Sequence, residues 1–556
     1  MILSSLLVFL NILVIYGYSL AFKFIFFKTS LQTKYYDFIY GILTLFFISS
    51  FLNFFIALKE VSLFIYTLGL IIFLFGFIKN LINIKLLFLF ISSVFFIILS
   101  FGNSPLGDTN FYHLQSLKWI IDYKIPFGLV NLEERFGYST LFTNLISVIN
   151  LNIFNFNTYY FFNISIFVIF FNQVFELKKI SSIGDIFLIL ASMFLFLFSL
   201  IHPDKNGILF NYLGSIEYDT IICLLFINLI SNYLNFFRNK DISNLNLIIA
   251  YSVCLFLIKI NYSLVILTLF FIYYNNYKLI FYNFSFKIFC FFLFLIYFLK
   301  NLIISSCLIF PIKFLCFENI LSLPQYKLQK FINIAKSFPR SAPTRERSDD
   351  FNYTLETNEW LKEWFFDYLI STSFTQITLF LFFSSLFFML FKKVRMEIIK
   401  GYNLFLLTLI LFLLVIFFQA PEIRYGWSLF IFLGLYIFSI LIFNENFRIF
   451  IFFKNKYKLI TYSLFTCLLF KNFMLIDLSS IGNSISLNNI IHSEKEFELI
   501  RVVNGYKVFK GINGECFDLK EICINYRENE MDFQIKNKKN YLYFIDHNKI
   551  RMDYTF

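Results

Sequence analysis

Long apolar runs separated by short polar stretches dominate this chain. A membrane helix needs roughly 20 mostly apolar residues. By that measure the candidate spans are 1–21, 37–57, 62–78, 84–101, 158–177, 184–201, 216–237, 244–258, 260–275, 284–310, 371–391, 402–418, 426–443 and 457–475. The pattern therefore predicts an all-α polytopic membrane protein of about fourteen helices. The stretch 244–275 reads as two short spans with a turn near Lys259, Asn261 and Tyr262. A single long helix there would invert everything downstream and put Lys392, Lys393 and Arg395 on the side away from the other basic loops.

Charge between the spans assigns the sides. Lys23, Lys28 and Lys34 share one loop and Lys79 and Lys85 another. Lys178 and Lys179, Arg238 and Lys240, Lys278 and Lys287, Lys392 to Lys400, and Arg448 to Lys458 mark further loops. Alternating the spans puts all of them on one side, the cytoplasm under the positive-inside rule. Both termini are then expected outside, together with loops 102–157, 202–215 and 311–370, the turn 419–426, and the tail. The expected organisation is N-terminal helices (1–83), a membrane core (84–476) and an extracytoplasmic tail (477–556) of α/β or mostly β character, with strand-like runs such as Tyr541 to Ile545. The apolar N-terminus has no basic region before it and no clear cleavage site, so it reads as a first span rather than a removed signal peptide.

Composition agrees. Of 556 residues, 59% are hydrophobic, 87 are Phe and only 15% are charged, against about 45–50% apolar in soluble domains. The net charge of +12 follows from the basic cytoplasmic loops and does not imply nucleic acid. The cytoplasmic loops are too short for a soluble catalytic domain and no nucleotide-binding glycine loop is present, so chemistry belongs to the outer face. Most of the eight cysteines lie in apolar runs, where a free thiol behaves as a small hydrophobe. Cys516 and Cys523 are different: seven apart in a polar tail, they are a candidate disulfide if that tail is outside.

Where charge is scarce, a dense polar segment stands out. Gly107-Asp108-Thr109-Asn110-Phe111-Tyr112-His113 follows the run 85–100 and leads into Leu114-Gln115-Ser116-Leu117-Lys118-Trp119. Helical spacing of Phe111, Leu114, Leu117 or Lys118, and Ile121 predicts a short amphipathic helix from Thr109 to about Tyr123, lying along the membrane interface with Trp119 at that depth. Asp108 is a candidate general base, positioned to take the proton of an acceptor hydroxyl attacking an anomeric carbon. It is also a natural N-cap, and one carboxylate serves both roles. His113, Lys118, Asn131 and Arg135 follow as candidate ligands of a lipid phosphate. Each has a plainer role: a satisfied structural His, a snorkelling Lys, or an Arg paired with Glu133 or Glu134. Glu422 and Arg424, in the outer turn 419–426, join the set, with interfacial anchoring beside Tyr425 and Trp427 as the alternative. Lys300 is deep for a cation unless paired or facing a wet cavity. Asp219 is a cap or a cavity-facing carboxylate, and Trp360 and Trp364 mark an amphipathic segment in the long loop.

Together these features resemble the GT-C superfamily of membrane glycosyltransferases, and most closely an uncharacterised bacterial multi-pass GT-C-like group. In that group an Asp-x-x-x-Tyr-His segment precedes Gly-Leu-x-Asn-Leu-x-x-Arg. Here these are Asp108, Tyr112, His113, Gly128, Leu129, Asn131, Leu132 and Arg135, with Lys300-Asn301 before Phe310-Pro311 and a tail Cys pair continuing the likeness. It covers the chain from about residue 84 onward, through the order of several short motifs. It implies a sugar donor carried on polyprenyl phosphate, a glycan, lipid or protein acceptor, a catalytic role for Asp108, and an outward-facing site in the bacterial inner membrane. Unlike many members, this chain has Gly107 and Thr109 rather than a second acid beside Asp108, which leaves divalent-metal use open. About three additional spans also precede the loop. The alternatives from other classes are a lipid-linked sugar or polysaccharide transporter (flippase), which should carry charges mid-span, and a non-catalytic envelope assembly protein. The charges here gather at outer helix ends, which favours the enzyme.

Overall fold

The computed structural model describes residues 1–27, 32–100, 109–201, 213–341, 353–391, 407, 409–475 and 497–546. Within these, 154–155, 178–179, 181, 276, 371–372, 416–420, 422, 444–447 and, in the tail, 512–515, 517–518, 520–521, 525–532 and 539–540 are outside the described set. The chain is built mostly of helices. In order they are α1 (Ile2–Phe26), α2 (Phe38–Asn53), α3 (Ser62–Ile78), α4 (Leu86–Leu99), α5 (Leu114–Asp122), α6 (Leu141–Ile149), α7 (Phe162–Phe175), α8 (Ile183–Ile201), α9 (Asp219–Asn239), α10 (Ile242–Ile258), α11 (Ile266–Asn275), α12 (Phe284–Ser305), α13 (Gln325–Arg340), α14 (Ser373–Phe391), α15 (Ile423–Phe443) and α16 (Arg448–Leu475), with single turns between some of them.

Six helical segments among the described residues are long and apolar enough to cross a bilayer: Ile2–Phe26, Tyr35–Asn53, Thr158–Phe175, Ile183–Ile201, Asp219–Asn239 and Phe284–Ser305. Shorter apolar helices, α3, α4 and α10 among them, lie beside these. The arrangement is compatible with a multi-pass membrane protein. Some helices are buried all round, while α3 and α12 turn Leu63, Phe64, Ile71, Ile78, Phe291 and Phe292 outward. Exposed stripes of that kind are what a bilayer, rather than water, accommodates. Tight packing uses small residues: a Cβ on Gly17 would meet the Gly69 carbonyl at 2.0 Å, so α1 and α3 touch backbone to backbone.

The stretch 244–275 forms two helices with a turn between them, as expected. α10 ends at Ile258, Lys259 is extended (φ −147°, ψ 118°), and a tight turn over Ile260–Val265 leads into α11. The span read as 284–310 stops earlier, at Ser305, where Ser306 takes a left-handed conformation (φ 58°).

Polar contacts sort into two ends of the bundle. At one end the basic loops meet. Lys23 pairs with Asp37 at 2.8 Å and Lys85 with Glu176 at 2.9 Å. Thr33 N donates to the Leu81 carbonyl and Asn83 N to the Thr33 carbonyl across their loops, and the Tyr457 hydroxyl donates to the Leu177 carbonyl. At the other end lie the loop carrying α5 and α6, the segment after α12, and the tail.

The tail consists of short strands. β1 (Asn152–Ile153) and β2 (Phe156–Asn157) form a minor ribbon in the earlier loop. β3 (Glu498–Val503), β4 (Tyr506–Lys510) and β5 (Ile522–Ile524) then form a three-stranded sheet, and β6 (Phe533–Lys538) pairs with β7 (Tyr541–Asp546) as a hairpin. The tail packs onto the outer loop. Phe127 N donates to the Leu542 carbonyl at 2.9 Å and Phe544 N to the Phe127 carbonyl at 2.8 Å. Trp119, Ile125, Leu129 and Leu132 share an apolar cluster with Val508, Ile535, Leu542 and Phe544.

Candidate functional site

The polar segment after the fourth helix is a π-type turn, Thr109–His113, running into α5. The helix expected from Thr109 to Tyr123 is present, and protein covers its apolar residues on two sides. Leu114, Leu117 and Ile120 face the main helical core. Trp119, 1% exposed, faces the tail strands instead. Periodicity identified the face toward the bundle; the second partner, some 400 residues away in sequence, left no signal near α5. Trp360 and Trp364 are likewise buried in the helical core, and Trp364 Nε1 donates to the carbonyl of Pro421.

Asp108 and Glu422 lie outside the described residues. Arg424 is fixed only as a backbone position near the start of α15. The residues next to Asp108 are well placed. Thr109 Oγ1 donates to Glu217 Oε1 at 3.2 Å, and both side chains are buried. The Tyr112 and His113 rings are 4.2 Å apart, and His113 meets Tyr218 edge-on at 5.3 Å. The Arg135 guanidinium lies 5.2 Å above the Tyr112 ring, and its Nε is 2.6 Å from Glu133 Oε1, whose side chain is fully buried. On the far side, Lys259 Nζ sits 2.6 Å from Asp219 Oδ1 and 5.6 Å from the Tyr218 ring. Arg135, Tyr112, His113, Tyr218, Asp219 and Lys259 thus form one continuous run of contacts beginning two elements away from each other in sequence and ending at the helix break.

Local structure explains this convergence. Asp219 opens α9, where a carboxylate is favoured by the exposed N–H groups and the helix dipole. Lys259 stands where α10 has stopped and α11 has not begun, so its side chain leaves the helical path toward α9. Tyr262, in the same turn, bonds Ser428 of α15 at 3.1 Å, which ties the break to the helix bearing Arg424. Two carboxylates (Glu133, Asp219) each hold a cation, and Glu217 holds the turn that follows Asp108. A partly buried site with cations anchored on aromatic faces can receive an anionic group by exchanging carboxylate for phosphate oxygens.

Three other sequence candidates have protein partners. Lys118 Nζ donates to the Leu519 carbonyl at 2.9 Å, and Gln115 reaches the same oxygen at 3.2 Å. Asn131 Nδ2 donates to the Leu321 and Phe544 carbonyls at 2.9 and 3.1 Å, joining three outer segments. Lys300, 1% exposed, donates to the Thr140 carbonyl at 2.8 Å and to Asn144 Oδ1. Asn144 contacts Asn53, whose amide holds the Tyr123 carbonyl at the end of α5 at 3.2 Å. The structure therefore brings His113 and Arg135 together and places Lys118, Asn131 and Lys300 in the scaffold around them. Sequence reading named Asp219 and the Lys259 turn without joining them to the site, and it passed over Glu217; their one signal was a Glu-x-Asp pair at the mouth of a span.

Two disulfides form at this end, Cys516–Cys523 as expected and Cys307–Cys316. The second corrects the reading of Cys307 as a thiol inside a span: the helix has already ended, so both residues are in the following loop. Among the described residues no three His, Cys, Asp or Glu side chains gather as a metal cluster.

Over residues 1–431 the chain matches the family described as a domain of unknown function (DUF8201), and it belongs to that family. No curated protein and no solved structure matches it.

Proposed function

We propose that this DUF8201 member is a membrane glycosyltransferase of GT-C type. It moves a sugar from a polyprenyl-phosphate donor to a cell-surface glycan, lipid or protein acceptor at the outer face of the bacterial inner membrane. The observation that carries the reading is the convergence of Thr109–His113, the turn directly after Asp108, with Arg135 and the Lys259–Asp219 pair. That cluster lies at the end of the bundle that bears both disulfides, which persist in oxidising compartments.

In this reading Asp108 accepts the proton of the acceptor hydroxyl as its oxygen bonds the anomeric carbon. The bond from that carbon to the phosphate oxygen breaks, and polyprenyl phosphate leaves with the electron pair. Arg135 and Lys259 stabilise the charge growing on the leaving phosphate, and Arg424, on the helix tied to the Lys259 turn through Tyr262 and Ser428, is the third cation assigned to it in this reading. Glu217 holds Thr109, the residue next to Asp108 in the chain.

The test is Asp108→Asn in the native host and in purified protein, with protein abundance measured alongside. Loss of sugar transfer from a polyprenyl-phosphate donor at normal abundance supports the assignment. Intact transfer and intact surface glycan, in a strain whose null is defective, refute it. The transporter reading draws on the helix break at Lys259, a device transporters use at the membrane midplane. It predicts donor flipping without transfer in proteoliposomes.

A further inference from the structure

The connection from α12 to α13 builds a cleft separate from the cluster around Arg135 and Lys259. Its first part is a closed loop. The Cys307–Cys316 disulfide joins the two sides, and Leu308 N donates to the Leu315 carbonyl and Phe317 N to the Ser306 carbonyl, both at 2.9 Å. Its second part is organised by one side chain. Asn319 Oδ1 accepts from the Ser306 hydroxyl, Leu321 N and Ser322 N at 2.8, 2.8 and 3.1 Å. The helix α13 then opens at Gln325. Between these walls lies an open cleft of about 600 Å³, lined by Lys313, Phe314, Glu318 and Gln325. That volume is usual for a small-ligand site, and walls fixed in advance lower the entropy lost on binding.

The four lining residues differ in kind. Phe314 is 83% exposed, held out by the closed loop instead of packing among the helices. Lys313 offers only donors and the Glu318 carboxylate only acceptors, and their charges cancel. The Gln325 amide oxygen is out of contact with water and has no hydrogen-bond partner among the described residues. A donor delivered by a bound ligand would remove the cost of leaving it unpaired. An apolar occupant would strip water from the cation, the carboxylate and the amide and return nothing. An anionic occupant would meet Glu318. A sugar ring presents an apolar C–H face with hydroxyls around its rim, and each hydroxyl both donates and accepts.

We propose that this cleft binds a neutral saccharide, with a sugar ring on the face of Phe314 and its hydroxyls bonded to Lys313, Glu318 and Gln325. The assignment rests on the cleft alone and does not depend on the sugar-transfer reading. The two places are nonetheless joined: Asn131 Nδ2 donates to the Leu321 carbonyl at 2.9 Å, which ties a wall of the cleft to the loop bearing Arg135. A glycan held in the cleft is therefore held on the same frame as the candidate transfer site.

The test uses the full chain in nanodiscs and reads binding by saturation-transfer NMR, so it is scored separately from the Asp108→Asn activity test. The probes are glucose, galactose, mannose, N-acetylglucosamine and maltotriose. At least one is expected to take up saturation from the protein. Phe314→Leu keeps an apolar side chain but removes the ring face, and should weaken that binding about fivefold. Phe314→Tyr keeps the face and should bind as the native chain does. Glu318→Ala and Gln325→Ala each remove an acceptor and should each weaken binding about tenfold. Tyr277→Leu, at an exposed ring in the turn between α11 and α12, should change nothing. Equal thermal unfolding of the variants checks that each is folded. Saturation of none of the sugars overturns the proposal and leaves the exposed Phe314 ring to lipid. Binding left unchanged by Phe314→Leu, Glu318→Ala and Gln325→Ala puts the sugar elsewhere and overturns it equally.

Discussion

Gly128→Ala is the sharpest probe of how the tail is held on the outer loop. Gly128 has φ 64°, and a Cβ there would come within 2.4 Å of the Phe544 carbonyl oxygen, a backbone atom of β7. Two effects add. A non-glycine residue in the left-handed region costs about 1–2 kcal/mol. The clash must also push β7 away from the Phe127 bonds, which form at 2.9 and 2.8 Å, and each such bond is worth about 1 kcal/mol net. The sum is about 3 kcal/mol of local stability, which in a native-state exchange experiment accelerates the affected amides on the order of 100-fold. The amide to watch is that of Phe544, which donates to the Phe127 carbonyl. Gly505→Ala is the matched control: its φ is 86°, yet nothing lies within 4 Å of the added methyl, so it carries strain without the clash and should leave β7 unchanged. If Gly128→Ala protects Phe544 as well as Gly505→Ala does, the tail is not held at this point.

Three further outcomes are expected. Arg135→Ala leaves the fully buried Glu133 carboxylate without its guanidinium and should destabilise the protein by about 3 kcal/mol. Glu133→Gln combined with Arg135→Gln should recover most of that in a thermal unfolding assay, and no recovery would mean the pair is not coupled. Lys300→Met removes the donor from the Thr140 carbonyl and Asn144 and should lower stability by about 2 kcal/mol; a stable but inactive variant would instead make Lys300 a ligand of substrate. Replacing Cys516 and Cys523 by Ser opens a loop of sequence separation 7, worth about 2.5 kcal/mol on loop entropy. It should loosen the Leu519 carbonyl from Lys118 and Gln115 and hasten proteolysis of the tail, whereas Ser at Cys307 and Cys316 should leave tail proteolysis unchanged.

What the sequence determined by itself follows from short-range physics. Apolar run length marks helices suited to a bilayer, because every backbone group there must be bonded within its own helix. Breaks at Lys259 and strands near Tyr541 were legible for similar local reasons, as was the Cys516–Cys523 pair. The charge alternation grouped the basic loops, and the folded chain brings several of them to one end through Lys23–Asp37 and Lys85–Glu176. Only tertiary structure decided which polar residues meet. Lys118, Asn131, Lys300 and Arg135 look alike along the chain. In the fold the first three hold carbonyl or amide oxygens of distant segments, while Arg135 lies over Tyr112 beside His113. The partner of each is set by helix packing across up to hundreds of residues, and an isolated cation carries no mark of whether a carbonyl, a carboxylate or a phosphate will satisfy it. Trp119 makes the same point for apolar groups: its spacing predicts that a face is buried, while a tail folded back over α5 determines what buries it.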